Sequence, residues 1–370
     1  MTTVMGLDSQ VDAVCAAARD IRGDVNSVVA QQTRRLLPLA SPAEQHAVIL
    51  RAVSRLAGLD MIDQLLADPL VDEVMVNAGR DVWVDRAGTI AHAGVLADGA
   101  IDAVLERALA PIGKRLDRSS PVVDARLADG SRLCAVVAPV AVDGTTVSIR
   151  RHRMRQLPLD DFCEPDVAQL LDDVVSGHAN VLVTGATSSG KTSLLRALAD
   201  RAQPGDRFVV LEDTSELTFP GRHVVRLEAR PPSADAVRAV PLAELVRTAL
   251  RLRPDRLVVG EFRGDEVVSV IQALNTGHDG SLSTCHANSA LDGLHRVETL
   301  VMQAAPNWPL PAIRQQISRS IDVIVHVERS SDGARRVTEV VEPVITSGDP
   351  AVRPLVTGGR VVAEFRRPRR

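Results

Sequence analysis

Residues Gly185-Ala186-Thr187-Ser188-Ser189-Gly190-Lys191-Thr192-Ser193 meet the spacing G-x-x-x-x-G-K-[ST]. A loop of this kind turns successive backbone N–H groups toward phosphate oxygens, sets an ammonium at the β- and γ-phosphates and offers a hydroxyl to Mg²⁺. Lys191 supplies the ammonium and Thr192 the hydroxyl. Lys191 is also one of only two lysines among 43 basic side chains. A chain that otherwise writes arginine keeps lysine where a compact, flexible charge must fit inside a tight loop. The chemistry implied is the binding of a nucleoside triphosphate.

Four further segments place polar residues beside strand candidates. Val209-Val210-Leu211 runs into Glu212-Asp213-Thr214-Ser215-Glu216, three carboxylates within five residues; a solvated turn with a helix cap is the plainer reading. Arg256-Leu257-Val258-Val259-Gly260-Glu261 is an apolar strand ending in an acid. It resembles a Walker B strand, except that Gly260 stands where an Asp is usual. Glu261 would polarise the attacking water or hold a metal-bound water, leaving Thr192, phosphate oxygens and water to hold most of the metal. His286 closes the run Gly280-Ser281-Leu282-Ser283-Thr284-Cys285; on residue type alone, a histidine there is more often a cap or core residue. Arg253, Asp255 and Arg263 flank the Glu261 strand, either setting charge near the phosphates or forming structural ion pairs.

These residues need a scaffold that ends several strands at one edge. Ala179 to Thr184 is a short apolar run and Thr192 to Ala202 has helical spacing, so strand, glycine loop and helix follow in order. The helix start adds its partial positive charge to the bound phosphates. Strand candidates at 179–184, 207–212, 256–260, 281–285 and 321–327 alternate with helical patterns such as Leu242 to Leu252 and Asp265 to Asn275. This is the rhythm of a mostly parallel α/β sheet, with Val337 to Val344 and Arg360 to Arg367 as further, edge strands. Open sheets of this type hold ligands at the carboxyl ends of their strands.

Upstream, residues 1–58 read as a helical extension, with amphipathic stretches near Gln10 to Ala30 and Pro42 to Ala57, the second opened by Ser41-Pro42. Residues 59–150 read as a smaller α+β domain: a hairpin through Val71, Val74, Val76, Val82 and Val84, a helix from Ala100 to Pro111, and strands at Asp124 to Leu127, Arg132 to Val137 and Thr145 to Arg150. A linker is expected at 151–160 and the α/β domain over 161–370.

Composition narrows the function. Aromatic residues are 2% of the chain, with no tyrosine, and the net charge is −4. Neither a base-stacking platform nor a global basic field is present, which makes nucleic acid a secondary option; the terminal Arg366-Arg367-Pro368-Arg369-Arg370 reads as a solvated tail. Cys15, Cys134, Cys163 and Cys285 lack metal or redox spacing and suit a reducing compartment. No segment has the length of a membrane span and no signal pattern opens the chain, so a cytoplasmic protein is expected.

Taken together, the loop at 185–193, the run Leu211 to Leu217, Leu252 to Gly264 and Asn275 to Ser289 resemble the secretion ATPases of type II and type IV systems. Upstream, Glu73-Val74-Met75-Val76-Asn77 and Ser119 to Arg132 extend the resemblance to residues 60–345. The branch it looks most like is the CpaF-type ATPases of tight-adherence (Flp) pilus systems. The resemblance implies a homo-hexamer of subunits pairing an N-terminal domain with a RecA-like P-loop ATPase domain, holding ATP and Mg²⁺ between them. It implies an inner-membrane platform as partner and peripheral attachment through it. Lys191 and Thr192 take the Walker A roles, Glu212, Asp213 and Glu216 form an acidic box, Glu261 is the Walker B acid and His286 belongs to a histidine box. Thr192, Asp213 and Glu261 are the implied metal ligands, and either Glu212 or Glu261 the base. Arg126, Arg150 and Arg151 match the family's phosphate-facing N-domain arginines. Ser188 stands where relatives usually have Gly, and Ser193 where they usually have Thr.

Overall fold

Apolar residues three and four apart make the N-terminal segment helical. The computed structural model describes residues 6–86, 88–151, 157–230, 238–330, 333–346 and 348–366. Helices α1 (Leu7–Ala18), α2 (Val25–Leu36) and α3 (Pro42–Ala57) bury Val11, Val14, Val29, Val48 and Ala52 against one another. The stretch expected as one helix from Gln10 to Ala30 is two. Gly23 at φ +151° interrupts it, and Asp24 starts α2 afresh by accepting the Ser27 N–H at 2.9 Å. At α3, Ser41 and Glu44 cap each other's backbone reciprocally, as Ser41-Pro42 leads one to expect.

Next come α4 (Met61–Ala67), β1 (Val71–Asn77), β2 (Asp81–Arg86), β3 (Thr89–Val95), α5 (Ala100–Leu109), β4 (Val122–Arg126), β5 (Arg132–Val136) and β6 (Thr146–Arg150). The strands form an antiparallel sheet in the order β3-β2-β1-β6-β5-β4. Its alternation buries Val74, Val76, Val82, Val84, Leu133 and Ile149 with Ile62 of α4 and Ile101 of α5. Contacts divide the chain into two units, residues 1–153 and 154–370. Residues 152–156 of the expected linker lie outside the described residues, as do 367–370 of the basic tail.

The second unit runs α6 (Pro165–Ser176), β7 (Val181–Gly185), α7 (Lys191–Asp200), β8 (Arg207–Glu212), β9 (His223–Glu228), α8 (Leu242–Ala249), β10 (Arg256–Phe262), α9 (Glu266–Leu274), β11 (Leu282–His286), α10 (Ala290–Ala304), α11 (Leu310–Ser320), β12 (Val323–Arg329), β13 (Arg335–Thr346), β14 (Asp349–Thr357) and β15 (Arg360–Val361). Its sheet has the order β15-β14-β13-β12-β7-β11-β10-β8-β9. Strands β12 through β9 are parallel, whereas β13, β14 and β15 are antiparallel. Both faces are covered. Val181, Val183, Phe208 and Val210 pack with α6 and α7, while Leu182, Val209, Leu211 and Leu257 pack with the core of α8, α9, α10 and α11. Strands β3, β9 and β14 and helix α4 escaped the sequence reading, and the strand expected over 360–367 shrinks to the two residues of β15.

The amino ends of the parallel strands are pinned by Arg256, which is fully buried. Its Nε meets Asp206 Oδ2 at 2.5 Å, while Nη1 and Nη2 donate to the carbonyls of Gly280 and Val175 at 3.1 and 3.0 Å. Asp255 accepts the Arg207 N–H at 2.8 Å at this same end. Arg253 and Asp255 therefore precede β10 at the edge opposite the glycine loop, and the idea that they set charge near the phosphates is corrected.

Candidate functional site

In-register pairing of parallel strands brings the chemistry to one edge. Gly185 at the end of β7 pairs with His286 at the end of β11, Cys285 pairs with Phe262 of β10, and Val259 pairs with Leu211 of β8. The loop, His286, Glu261 and Glu212 thus stand in strand order along the carboxyl edge. His286 is exposed there, at the flank of the loop.

The loop is built to take an anion. Gly190 N-caps α7 at φ +101°, a conformation that L side chains avoid, and no side chain caps the helix. The first N–H groups of a ten-residue helix consequently face the loop. Lys191 Nζ donates to the carbonyls of Gly185 and Ala186 at 3.0 and 2.9 Å, holding the ammonium across the loop's mouth. Burial pulls its pKa below the ordinary value, opposed chiefly by the charge of Glu261. Ser189 Oγ is buried and has no hydrogen-bond partner among the described residues. An orphan hydroxyl, an uncapped helix start and a desolvated lysine together fit a phosphate chain. Ser188 sits at φ +61°, which explains why a glycine is usual at this letter.

A β-bulge aims Glu261. Between the pairs Val259–Ser283 and Phe262–Cys285, β10 spends one residue more than β11, and such an insertion redirects the side chains it carries. Thr284 Oγ fastens the bulge by donating to the Gly260 carbonyl at 2.6 Å. Glu261 Oε2 accepts from Arg263 Nε at 2.7 Å and Nη2 at 2.5 Å, so Arg263 is the flanking arginine that does reach the acids. Gly260 has its own reason: a Cβ there would lie 3.0 Å from Glu212 Cγ. The missing Walker B aspartate is replaced by room for the neighbouring strand's glutamate.

Glu212 is buried, and its Oε1 accepts the N–H groups of Glu216 and Leu217, both at 3.0 Å. Burial nonetheless pushes its pKa up to about 7, the two backbone hydrogen bonds pulling the other way. It is a carboxylate poised to change protonation near neutrality. Asp213 is exposed beside it. The implied metal ligands Thr192, at the start of α7, Glu261 and Asp213, just past the end of β8, all belong to this edge, and Mg²⁺ would complete its shell with phosphate oxygens and water.

The arginines of the first unit are arranged by register. Arg126 pairs with Arg132 and Arg132 with Arg150 across β4, β5 and β6, with Glu73 of β1 next in the row. Three cations on adjacent strands repel one another, an arrangement that an anion relieves. Arg132 was missed by sequence reasoning, although the Asp129-Gly130 turn that sets its register was visible. Arg151 differs from the expectation: its guanidinium donates to the carbonyls of Asp68, at 2.9 Å, and Leu66, where it holds the end of α4. We count it with the structure of the first unit.

Residues 55–355 match the family described as "Type II/IV secretion system protein". A Mycobacterium tuberculosis protein named for conjugal transfer is 36% identical over 300 residues, covering 78% of this chain and 85% of the relative. Conjugal transfer protein TrbB of Rhizobium radiobacter is 32% identical, covering 76% and 86%. Type IV secretion system protein PtlH of Bordetella pertussis is 33% identical over 76% and 92%. Among solved structures, the pilus retraction motor PilT with bound ADP superposes with a TM-score of 0.56 at 21% identity, over 81% of this chain and 83% of that one. The Legionella pneumophila ATPase DotB gives 0.55 at 17%, over 76% and 80%. These two likenesses establish the fold, a RecA-like α/β ATPase fold.

Proposed function

The chain belongs to the type II/IV secretion system protein family, and from that premise we propose that it is an ATP-hydrolysing hexameric motor for a pilus or secretion machine. The observation that carries this reading is the single carboxyl edge along which Lys191, His286, Glu261 and Glu212 follow one another. Backbone N–H groups of residues 185–193 and Lys191 bind the phosphates. Mg²⁺, when bound, supplies charge neutralisation between phosphate oxygens. Glu212, with a pKa near 7, takes the proton of the attacking water as the bond between the γ-phosphorus and the ADP oxygen breaks. Glu261 balances Lys191 and orients water, and His286 touches the γ-phosphate and reports its loss. Arg126, Arg132 and Arg150, in one row of the first unit's sheet, are that unit's candidates for further positive charge toward the phosphates.

We assign the domains as a helical extension over 1–58, an α+β domain over 59–150, a linker at 151–160 and the ATPase domain beyond. Among the described residues no helix is long and apolar enough to cross a membrane. Attachment at the cytoplasmic face therefore runs through a platform protein in this proposal. The tight-adherence pilus branch is the first reading for the machine, carried by the motif pattern. Relatives named for conjugal transfer favour a second, a motor of conjugative transfer. Phosphate release by the purified chain separates them: stimulation by the cytoplasmic part of a pilus platform supports the first, stimulation by double-stranded DNA the second. No turnover under either condition would leave a nucleotide-binding scaffold.

A further inference from the structure

The β12–β13 hairpin carries none of the motifs of the nucleotide site, yet it closes the side of the glycine loop away from the acids. A Cβ on Gly185 would come within 2.4 Å of the Val327 carbonyl of β12. Arg335, the first residue of β13, is held in register against Arg329. Its stem lies across the other end of the loop, where a Cβ on Gly190 would come 2.4 Å from Arg335 Cδ and 3.0 Å from Nε. Glycine at 190 thus serves both the left-handed turn and the passage of an arginine.

Sheet order decides which end of a nucleotide this arginine meets. β12 flanks β7 on one side, while β11, β10 and β8, with His286, Glu261 and Glu212, lie on the other. Glu261 and Glu212, the groups that would act on the reacting bond, end β10 and β8 on that far side, so the γ-phosphate belongs to the acid side. The phosphates nearer the nucleoside then follow the loop toward Gly190 and the start of α7, which is where Arg335 lies. A guanidinium presents paired donors to phosphate oxygens.

Resting on the ATPase reading, we propose that Arg335 is a nucleotide-binding residue acting within its own subunit. It grips the α,β-diphosphate shared by ATP and ADP and makes no contact with the γ-phosphate. Its role is affinity for both states of the cycle, which distinguishes it from the acids that act on the reacting bond.

The test is calorimetric titration of the full chain with ADP and with a non-hydrolysable ATP analogue, comparing wild type, Arg335→Met, Arg335→Lys and Lys191→Ala. Methionine keeps an apolar stem against Gly190 and removes the charge, and melting without nucleotide checks that the fold persists. Arg335→Met is expected to weaken both ligands equally, by about tenfold or more, with Arg335→Lys in between. Unchanged affinity in Arg335→Met beside a tight wild type overturns this assignment alone. A loss confined to the ATP analogue overturns it as well, since the contact would then be to the γ-phosphate. A wild type that binds neither ligand removes the ATPase reading beneath it.

Discussion

At the scale of single residues, Glu212 is where burial and chemistry meet. Its folded-state pKa near 7 stands above the ordinary 4.5, so between those values the folded protein holds a proton that the unfolded chain sheds. Stability therefore falls as pH rises from about 4.5 to 7, by up to about 3 kcal/mol. Glu212→Gln is expected to match wild type in denaturant titrations at pH 4 and to exceed it at pH 8. Turnover should show the opposite trend, rising with pH through about 7 in wild type and losing that limb in Glu212→Gln. A limb that survives the substitution moves the base role to Glu261. Ser188 offers a second test. Its φ of +61° costs a non-glycine residue about 1 kcal/mol, and glycine would return about 0.5–1 kcal/mol of that through unfolded-chain entropy. Ser188→Gly should then melt close to wild type and bind ADP as well, whereas Ser188→Val, which tolerates positive φ worst, should lose both stability and affinity. The glycine loop was legible because its motif stands between a strand and a helix, whereas Glu212 and His286 follow strands in runs that residue type alone leaves open and that the family resemblance singled out. Arg132 and Arg335 were not legible, because only strand register and a close tertiary approach connect them to their neighbours.

At the scale of elements, parallel register fixes the site and Arg256 fixes the register. One guanidinium ties the end of α6, the turn before β8, and the starts of β10 and β11. Arg256→Ala would leave Asp206 and two carbonyls buried without their donor, a loss of about 3–5 kcal/mol. Urea denaturation should report it, and Asp206→Ala in the same background should restore part of the loss; a midpoint unchanged by Arg256→Ala contradicts the pin. Alternating and helical patterns revealed the buried strands and α3 closely. The helix break at Gly23 was obscured by apolar spacing that runs across it. Strands β3, β9 and β14 escaped because their burial is slight or partial, so exposed residues dilute the period that would mark them.

Across the whole molecule, the chain folds as two units with cores of their own, and the sheet of the second bears the glycine loop. With a non-hydrolysable ATP analogue, light scattering should give six copies of the 39.6 kDa chain, and a monomer under those conditions would contradict the ring. The most direct measurement of the central claim is steady-state phosphate release from ATP by wild type and Lys191→Ala, with circular dichroism and melting to show that both are folded. Wild type is expected to show Mg²⁺-dependent turnover, and Lys191→Ala to lose about a hundredfold or more of it. Equal turnover in the two folded proteins would contradict that claim.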